Sequence, residues 1–343
     1  MVRRKLVERK VYVMLACLLV LGVLLPSCSG REEARDEGFG KAQNAATQPA
    51  KEAPLAESPD SDYARDVAAG IDEASIRTHL ARLTGASPAP LSSGEVTISE
   101  RGSEQGRRAA AQYMKESFEA MGIPARIIEF DLDNKRGYNV EATLEGTEGK
   151  NHLWVSAHLD SVYNAGASDD ASGLASTLET ARALKEIKPE HTVHFVAFDL
   201  EEIGLYGSSR YVDSVVSDIR SQEGEDAIIG DINSDMIGYD EGGFEAVIGS
   251  CNQAGPLDDA VRQASETIDS PLNLTDDCLA RSDHQNFWDA GFPALIITDG
   301  TKYDDYPWYH KTGDTIDKLN IPYTRSMIQL TAASAALLVA PES

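Results

Sequence analysis

"VSAHLDSVYNAGASDDASG", residues 155–173, places one histidine and three aspartates where an apolar run gives way to a loop of small residues. The run that leads into it, "HLWVSAHL", is typical of a buried strand. Charged groups beside such a strand are costly unless hydrogen bonds or a metal ion satisfy them. A solvated turn and one half of a metal site both fit this stretch, so the rest of the chain has to decide between them.

Length and composition predict an ordinary globular protein. The chain has 343 residues, of which 42% are hydrophobic and 25% charged, enough for one large domain or two small ones. The net charge of −25 argues against a nucleic-acid partner, because binding to phosphates needs clustered Lys and Arg. Most of this acidity serves solubility, so only acids in a structured context need a further explanation.

The first 27 residues predict an export signal. A basic stretch, "MVRRKLVERK", precedes an apolar run that has the length of a signal-peptide core rather than a membrane span. The following "LLPSCSG" resembles the bacterial lipoprotein signal, in which the cysteine, here Cys28, becomes the lipidated first residue. We therefore expect an exported bacterial lipoprotein that reaches the membrane only through a lipid anchor on Cys28, with its domain outside the cytoplasm. An ordinary secretory signal and an uncleaved anchor remain alternatives.

The mature chain is predicted to consist of a tether and one domain. Residues 28–62 are rich in Ala, Glu, Pro and Ser and contain a single aromatic residue, so they cannot bury a core and are predicted to be flexible. Residues 63–343 have the periodicity of a folded domain. The two cysteines within it, Cys251 and Cys278, can pair in an oxidising compartment, and the sequence leaves their pairing open.

Strand-like and helical patterns alternate along this domain. The strand-like runs are "ARIIEF", "YNVEATLE", "HLWVSAHL", "TVHFVAFDL", "AIIGDINSDM", "FEAVIG" and "PALIITDG". The helical patterns are "IDEASIRTHLARL", "SEQGRRAAAQYMKESFEAMG", "SGLASTLETARALKEI", "SSRYVDSVVSDIR", "GPLDDAVRQASETI", "HQNFWDAG" and "YTRSMIQLTAASAALLVA". This alternation predicts an α/β domain with a central, mostly parallel mixed sheet flanked by helices.

Acids or histidines stand at the ends of four of the predicted strands. These groups are His158 with Asp160, Glu201 with Glu202, Asp235, and His310 in the loop that follows "ALIITD". Because sites in open α/β sheets form at the carboxyl ends of strands, we expect these side chains to share one rim of the sheet.

The candidate metal ligands are two histidines and three carboxylates: His158, His310, Asp169, Glu202 and Asp235. Five protein ligands are too many for one catalytic zinc, which keeps three and a water, but they suit two metals that share one carboxylate. Paired metals favour hydrolysis, because they hold a water and polarise the attacked oxygen. The mixed ligand set fits zinc best, with manganese or cobalt as substitutes.

These residues resemble the di-zinc exopeptidases that include bacterial secreted leucyl aminopeptidases, with glutamate carboxypeptidases and glutaminyl cyclases as relatives. The resemblance covers roughly residues 95–340. The segments that carry it are "SAHLDSV", "GASDDASG", "DLEEIGLYGSSRYV", "NSDMIGY", "SDHQNFWDAGFPAL" and "YHKTGDTIDKL". Each segment is weak alone, but the ordered set is specific, and it implies the zinc-dependent exopeptidase type of α/β fold.

The resemblance implies a role for each residue of the "SAHLDSV" and "GASDDASG" segments. His158 matches the first zinc histidine, and Asp160 matches the residue that orients its ring. Asp169 matches the carboxylate that bridges two zinc ions. Asp170 occupies a position that is not a ligand.

The remaining roles come from the later segments. Glu201 matches the general base and Glu202 a zinc ligand, while Asp235 and His310 complete the set. The resemblance implies that His158 shares one zinc with Asp235, and that Glu202 shares the other with His310.

One position departs from the family pattern. Secreted aminopeptidases of this kind can carry an aromatic hydroxyl just before "SDH", thought to help the substrate carbonyl, and this chain has Leu279 near that place. Stabilisation of the carbonyl then falls to the metals alone, to Arg281 or to Tyr309.

The resemblance implies a zinc metallopeptidase that removes N-terminal residues from peptides with a free N-terminus, through a water held by two zinc ions. A glutaminyl cyclase-like transferase with one working zinc and a non-catalytic peptidase-like binding domain are the alternatives. Carboxypeptidase action would need a basic residue to hold a terminal carboxylate; the candidates are Arg210, Arg281 and Lys302.

Aromatic residues crowd the loop before His310. They are Tyr303, Tyr306, Trp308 and Tyr309, and Met236 directly follows Asp235. They either pack the loop against the domain or line an apolar pocket for the first side chain of a peptide. The second interpretation predicts a broad preference for Leu, Met or Phe.

Overall fold

The computed structural model describes residues 59–149, 151–300 and 305–341. The predicted signal peptide, Cys28 and most of the predicted tether lie outside these residues, as do Lys302 and Tyr303. The described part of the chain contains no helix that is both long and apolar enough to cross a membrane.

Within the described residues, ten strands form a small hairpin and one large sheet. The hairpin pairs β1 (Ala89–Leu91) with β2 (Gly94–Val96). The strands of the large sheet are β3 (Ala125–Leu132), β4 (Lys135–Leu144), β5 (His152–His158), β6 (Thr192–Phe198), β7 (Ile228–Ser234), β8 (Glu245–Gly249), β9 (Asn273–Asp277) and β10 (Ala294–Asp299). Their order across the sheet is β3-β4-β6-β5-β7-β10-β8-β9, so β3 and β9 are the edge strands.

The centre of the sheet is parallel. Strands β6, β5, β7 and β10 run in one direction, with Val155 opposite both Phe195 and Ile232. The β3–β4, β4–β6 and β8–β10 pairs are antiparallel, and β8 pairs with β9 in parallel. The predicted mostly parallel mixed sheet is therefore confirmed.

The helices are α1 (Pro59–Ala69), α2 (Glu73–Leu83), α3 (Glu104–Ala120), α4 (Ser172–Ile187), α5 (Tyr206–Tyr211), α6 (Ser217–Glu223), α7 (Pro256–Thr267), α8 (His284–Asp289) and α9 (Ile321–Val339). Short polar side chains cap the N-termini of several of these helices. Asp72 accepts a hydrogen bond from the Ser75 amide at 2.8 Å, and Ser103 accepts one from the Gly106 amide at 3.1 Å. Each bond satisfies an amide that the first turn leaves without a partner. Helix α1 begins four residues before the predicted start of the domain at residue 63.

Alternating residues of the central strands fill two buried layers. In β6, Val193 and Phe195 belong to the larger core cluster, while Val196 and Phe198 belong to a second cluster that includes Trp154. Complete burial of such a side chain contributes about 1.5–3 kcal/mol. Because both faces are covered, the carboxyl ends of the parallel strands form a rigid rim.

A disulfide joins Cys251 to Cys278. It connects the turn after β8 to the segment after β9, next to Leu279.

Candidate metal centre

His158 is the last residue of β5 and lies among carboxylates. Its Nε2 is 2.9 Å from Oδ1 of Asp169 and 3.6 Å from Oδ1 of Asp235. Its Nδ1 faces Oδ1 of Asp160 at 3.7 Å. All four side chains are buried. The end of one strand thus gathers groups that are 77 residues apart in the sequence (235 − 158).

His310 approaches the same carboxylates from the loop after β10. Its Nε2 is 2.9 Å from Oε2 of Glu202 and 3.4 Å from Oδ2 of Asp169. One oxygen of Asp169 therefore faces His158 and the other faces His310. This is the arrangement that a carboxylate shared by two metals requires.

Asp160 fixes the backbone of Glu201 and Glu202. The amides of Glu201 and Glu202 donate to its two carboxylate oxygens at 3.0 and 3.3 Å. These bonds are better formed than its 3.7 Å approach to His158. Asp160 therefore positions the Glu201–Glu202 segment in addition to facing the histidine ring.

Asp170 lies closer to the centre than its predicted non-ligand position suggests. Its carboxylate belongs to a group with His158 and Asp235 whose ligand atoms all lie within 4.8 Å of one another; His158, Asp169 and Glu202 form a second such group. However, Asp170 accepts hydrogen bonds from the amides of His158, Gly173 and Met236 at 3.2, 2.8 and 3.3 Å. We conclude that it joins the ends of β5 and β7 to the start of α4.

Glu201 and Glu202 lack sufficient counter-charge, whereas hydrogen bonds from His158 and His310 lower the pKa of Asp169 despite its burial. Burial, together with the neighbouring Asp169, raises the pKa of Glu202 to about 7. Burial also raises the pKa of Glu201 well above its ordinary value, and Asp235 adds to the effect. Hydrogen bonds to Asp169 and Glu202 raise the pKa of His310 to about 10. Crowded carboxylates favour any added positive charge.

Several buried atoms of the centre have no hydrogen-bond partner within the described chain. They are Oε1 of Glu202 and Oδ1 of Asp235; Nδ1 of His158 also lacks a partner, but it faces Asp160 rather than the other candidate ligands. Buried polar atoms are almost always satisfied, and imidazole nitrogens with carboxylate oxygens form the ligand set of zinc. The residues therefore fit a divalent metal such as zinc.

The loops of the centre adopt backbone conformations that are rare for residues with side chains. Positive φ angles occur at Tyr163 (55°), Leu200 (61°), Met236 (55°) and His310 (54°). Leu200 precedes Glu201, and Met236 follows Asp235. Such conformations persist only where the surrounding structure imposes them, and they concentrate at functional sites.

Arg101 is a supporting residue that the sequence did not reveal. It is fully buried and donates to the backbone carbonyls of Leu83, Leu159, Ala165 and Gly166 at 2.7–3.0 Å. It thereby fixes the loop between Asp160 and Asp169. A single arginine in a polar stretch carries no sequence signal of this role.

Asp314 is a second supporting residue. Its carboxylate accepts hydrogen bonds from the amides of Ser168 and Asp169 and from the Tyr306 hydroxyl at 2.8–3.1 Å. It thus ties the His310 loop to the shared carboxylate. The sequence offered one indication of this residue: Asp314 lies in the "KTGDT" segment that directly follows His310.

An apolar cluster adjoins the centre. Met236 and Tyr306 are buried, and Tyr239, Leu279 and Tyr309 pack against them. The Tyr309 ring also stacks on His310, with 3.8 Å between centroids. Three of the predicted pocket residues, Met236, Tyr306 and Tyr309, thus lie together, whereas Trp308 is 37% exposed.

Comparison with known proteins agrees with this geometry. The model of peptidase family M28 matches residues 139–335. The chain is 34% identical over 175 residues to aminopeptidase YwaD of Bacillus subtilis, covering 49% of this chain and 37% of that enzyme. The chain spans less than half the length of this relative and of the leupeptin-inactivating enzyme 1 of Streptomyces exfoliatus.

Solved structures share the fold at lower sequence identity. BSAP, a zinc aminopeptidase from Bacillus subtilis, is 18% identical with a TM-score of 0.70, covering 80% of this chain and 96% of that structure. Porphyromonas gingivalis glutaminyl cyclase is 17% identical with a TM-score of 0.64, covering 79% and 99%. At these identities the likeness establishes a shared architecture.

Proposed function

The chain belongs to peptidase family M28, and from that premise we propose that it is a zinc-dependent aminopeptidase that releases N-terminal residues from peptides. The observation that carries the proposal is the position of Asp169, with one oxygen toward His158 and the other toward His310. Glu202 lies on the His310 side and Asp235 on the His158 side.

In this proposal His158 and Asp235 would hold one zinc, His310 and Glu202 would hold the second, and Asp169 would be the ligand shared by both. When bound, two zinc ions polarise the scissile carbonyl and lower the pKa of water. Asp160 and Asp170 hold the ligand-bearing strand ends in place through their backbone hydrogen bonds.

Glu201 is the proposed general base. It directly precedes Glu202, and burial gives it a raised pKa, which suits a group that takes a proton and gives it back. Glu201 accepts a proton from the attacking water and transfers it to the leaving amine as the peptide bond breaks.

The apolar cluster around Met236 and Tyr306 is the proposed pocket for the first side chain of the substrate. Apolar pockets of this kind discriminate by only about 1–3 kcal/mol per methylene, so we expect broad activity on Leu, Met and Phe. The free α-amine would lie among the carboxylates, which disfavours N-acetylated peptides and acidic first residues.

Tyr309 is the proposed donor to the substrate carbonyl in place of the hydroxyl that Leu279 does not provide. Burial raises the pKa of Tyr309, so its hydroxyl keeps its proton at neutral pH, and its ring is fixed by stacking on His310. Tyr309→Phe should lower kcat by about 10- to 100-fold. This loss is smaller than that expected for a sole carbonyl donor, because the metals would share the role.

The test of the proposed function is amino-acid release from Leu-, Phe- and Glu-initiated peptides, free and N-acetylated, before and after chelation. We expect release from free Leu and Phe peptides only, loss of activity with chelator, recovery with zinc or cobalt, and about two metal ions per chain. Cyclisation of N-terminal glutamine without amino-acid release, at one metal per chain, would instead favour a cyclase, the activity named for a structure of similar fold. Full activity in metal-free protein would contradict the proposal.

We also propose that residues 1–27 are removed on export and that Cys28 carries lipid. The basic and apolar stretches before "PSCSG" support this. Mass spectrometry of the mature N-terminus from a bacterial host tests it, with Cys28→Ala as the comparison. An unmodified chain that begins elsewhere would contradict it.

A further inference from the structure

A second pocket adjoins the metal centre. We call it the Lys135 pocket; it is lined by Gly102, Arg107, Lys135, Tyr163, Leu200 and Ile203, with Asp160 and Glu202 also contributing. Its volume is about 80 Å³, equivalent to about two or three water molecules at liquid density. It therefore fits a short polar group better than a large side chain.

The order of the strands places this pocket and the apolar cluster on different sides of the centre. Along the rim, the ends of β6 and β5 carry Glu202 and Asp160, which line the Lys135 pocket. The ends of β7 and β10 follow on the other side, and Met236 of the apolar cluster is the second residue after β7. A peptide whose first side chain occupies the apolar cluster therefore extends its next residue toward the Lys135 pocket.

Arg107 builds the pocket rather than binding in it. Its guanidinium donates to Asp199 at 3.0 Å, to the Gly102 carbonyl at 2.5 Å and to the Arg136 carbonyl at 3.0 Å. The side chain is buried, and so is Asp199. Because its nitrogens are committed to these partners, Arg107 joins three of the segments around the pocket and leaves no free charge for a ligand.

Two exposed apolar side chains form the walls. Tyr163 is 68% exposed and Ile203 is 47% exposed. The Tyr163 loop packs directly on Gly102, where an added Cβ would lie 2.5 Å from the Tyr163 amide nitrogen. Glycine at position 102 thus allows the close approach that sets the width of the pocket.

Lys135, the first residue of β4, is the available cation. It is exposed, and among the described ion pairs and hydrogen bonds none involves its ammonium. A cation that lines the same pocket as Asp160 and Glu202 but pairs with neither repels a substrate α-amine and attracts a carboxylate. A dipeptide supplies such a carboxylate at its C-terminus, and a longer peptide supplies one on an Asp or Glu side chain in second position.

We propose that the Lys135 pocket binds the residue that follows the scissile bond and that Lys135 selects a carboxylate there. This inference rests on the proposed aminopeptidase function and adds the substrate class: short peptides with an apolar first residue and a carboxylate on the second. Arg107 is a positioning residue, and Lys135 is the specificity-determining residue.

The experiment compares kcat/KM of the full-length, zinc-loaded protein for two matched substrate pairs. The first pair is Leu-Ala and Leu-Ala-amide, which differ in the C-terminal carboxylate. The second is Leu-Glu-amide and Leu-Gln-amide, which differ in the side-chain carboxylate. Each pair is measured for the wild type, Lys135→Met, Lys135→Arg, and the distant control Lys115→Met, whose lysine pairs with Glu119.

We expect the wild type to prefer the carboxylate by about three- to fivefold in at least one pair, the range of a partly exposed ion pair. The preference should fall to about one in Lys135→Met, persist in Lys135→Arg and Lys115→Met, and weaken with salt. Whichever pair shows it identifies the carboxylate that is bound. Equal values for both pairs, or a preference that survives in Lys135→Met, would overturn the inference while leaving the aminopeptidase function intact. Failure to cleave any of the four peptides would overturn that function and the pocket assignment with it.

Discussion

Two buried groups of histidine and carboxylate occur in the same sheet, and they are opposite in character. In the Glu141 cluster, consisting of Glu141, His194, Tyr211 and Arg126, one carboxylate is surrounded by donors. Its Oε1 accepts from His194 at 3.1 Å and from Tyr211 at 2.6 Å, and its Oε2 accepts from Arg126 at 2.7 Å. At the metal centre, carboxylates face one another across two histidines.

The pKa values express this difference. Burial opposes ionisation of Glu141, yet hydrogen bonds from His194 and Tyr211 lower its pKa to about 2. Burial and Asp169 instead raise the pKa of Glu202 to about 7. A buried acid that accepts hydrogen bonds from protein donors stabilises the fold. Buried acids without enough donors are instead stabilised by binding a cation. Mutation and metal removal should therefore affect the two regions differently.

The largest expected effect comes from Glu201→Gln at the metal centre. Loss of the proposed base should lower kcat by about 10²- to 10⁴-fold, and zinc content should stay at the wild-type level, because Glu201 is not a proposed ligand. Glu202→Gln is the matched variant and should lose zinc as well as activity. Peptide hydrolysis and metal analysis on the same samples measure both. Equal zinc loss in the two variants, or a Glu201→Gln rate near that of the wild type, would reverse the assignment.

Zinc removal should have the next largest effect, and only through the metal centre. A ligand at about 1,000 times its Kd adds about 4 kcal/mol to the free energy of unfolding. Urea unfolding with zinc and with chelator should show this increment. Tyr211→Phe, in the Glu141 cluster, should lower stability in both conditions but keep the same zinc increment, because it shares no partner with the centre. Superimposable wild-type curves with and without zinc would contradict a folded-state metal site.

Glu141→Gln should destabilise the protein by about 2–3 kcal/mol at pH 7, the free energy that a pKa lowered to about 2 represents. A depressed carboxyl pKa stabilises the folded state above the unfolded-state pKa of about 4.3. That contribution disappears as pH falls from there to about 2. The difference between wild type and variant should therefore shrink over this range.

Urea unfolding at pH 7, 4 and 3, with chelator present throughout, isolates this effect from zinc loss. Glu119→Gln, at an exposed surface pair with Lys115, is the control and should change stability by less than about 0.5 kcal/mol. A difference that grows as pH falls would have the wrong sign for this mechanism.

The smallest effect should come from Arg126→Met, which removes the exposed member of the Glu141 cluster. The Arg126 side chain is 64% exposed, so its ion pair contributes only about 0.5 kcal/mol. The same unfolding assay measures it. A loss as large as that of Glu141→Gln would mean that the arginine, rather than His194 and Tyr211, keeps the carboxylate ionised.

The sequence was most informative where burial creates periodicity. All seven predicted strands exist. The central ones, such as β5 and β6, are buried on both faces and therefore apolar along their length, whereas the edge strand β3 alternates between half-buried and exposed residues over most of its length. Strand β9, "NLTDD", was missed because an exposed edge strand has no apolar run. Helix α1 was missed because "PDSDYARDVAA" begins with residues that resemble the polar tether.

At the metal centre, each predicted ligand was identified because it stands at the end of an apolar run or in a recognisable segment. The structure brings all five together, and their roles stay predictions. The residues that position them were not foreseeable in this way. Arg101 binds backbone carbonyls, and such contacts depend on loop paths that no local pattern encodes. The hydrogen bonds that Asp170 accepts from backbone amides were unpredictable for the same reason.

The two outer strands of the sheet bear on the behaviour of the protein at high concentration. Edge strands expose unpaired amides and carbonyls that can recruit a strand from another molecule. Here β9 ends in Asp276 and Asp277, and the exposed side chains of β3 include Glu129 and Asp131. Edge-to-edge pairing of two copies would crowd these charged side chains together with their partners Arg136 and Arg262, so the charged borders disfavour such pairing.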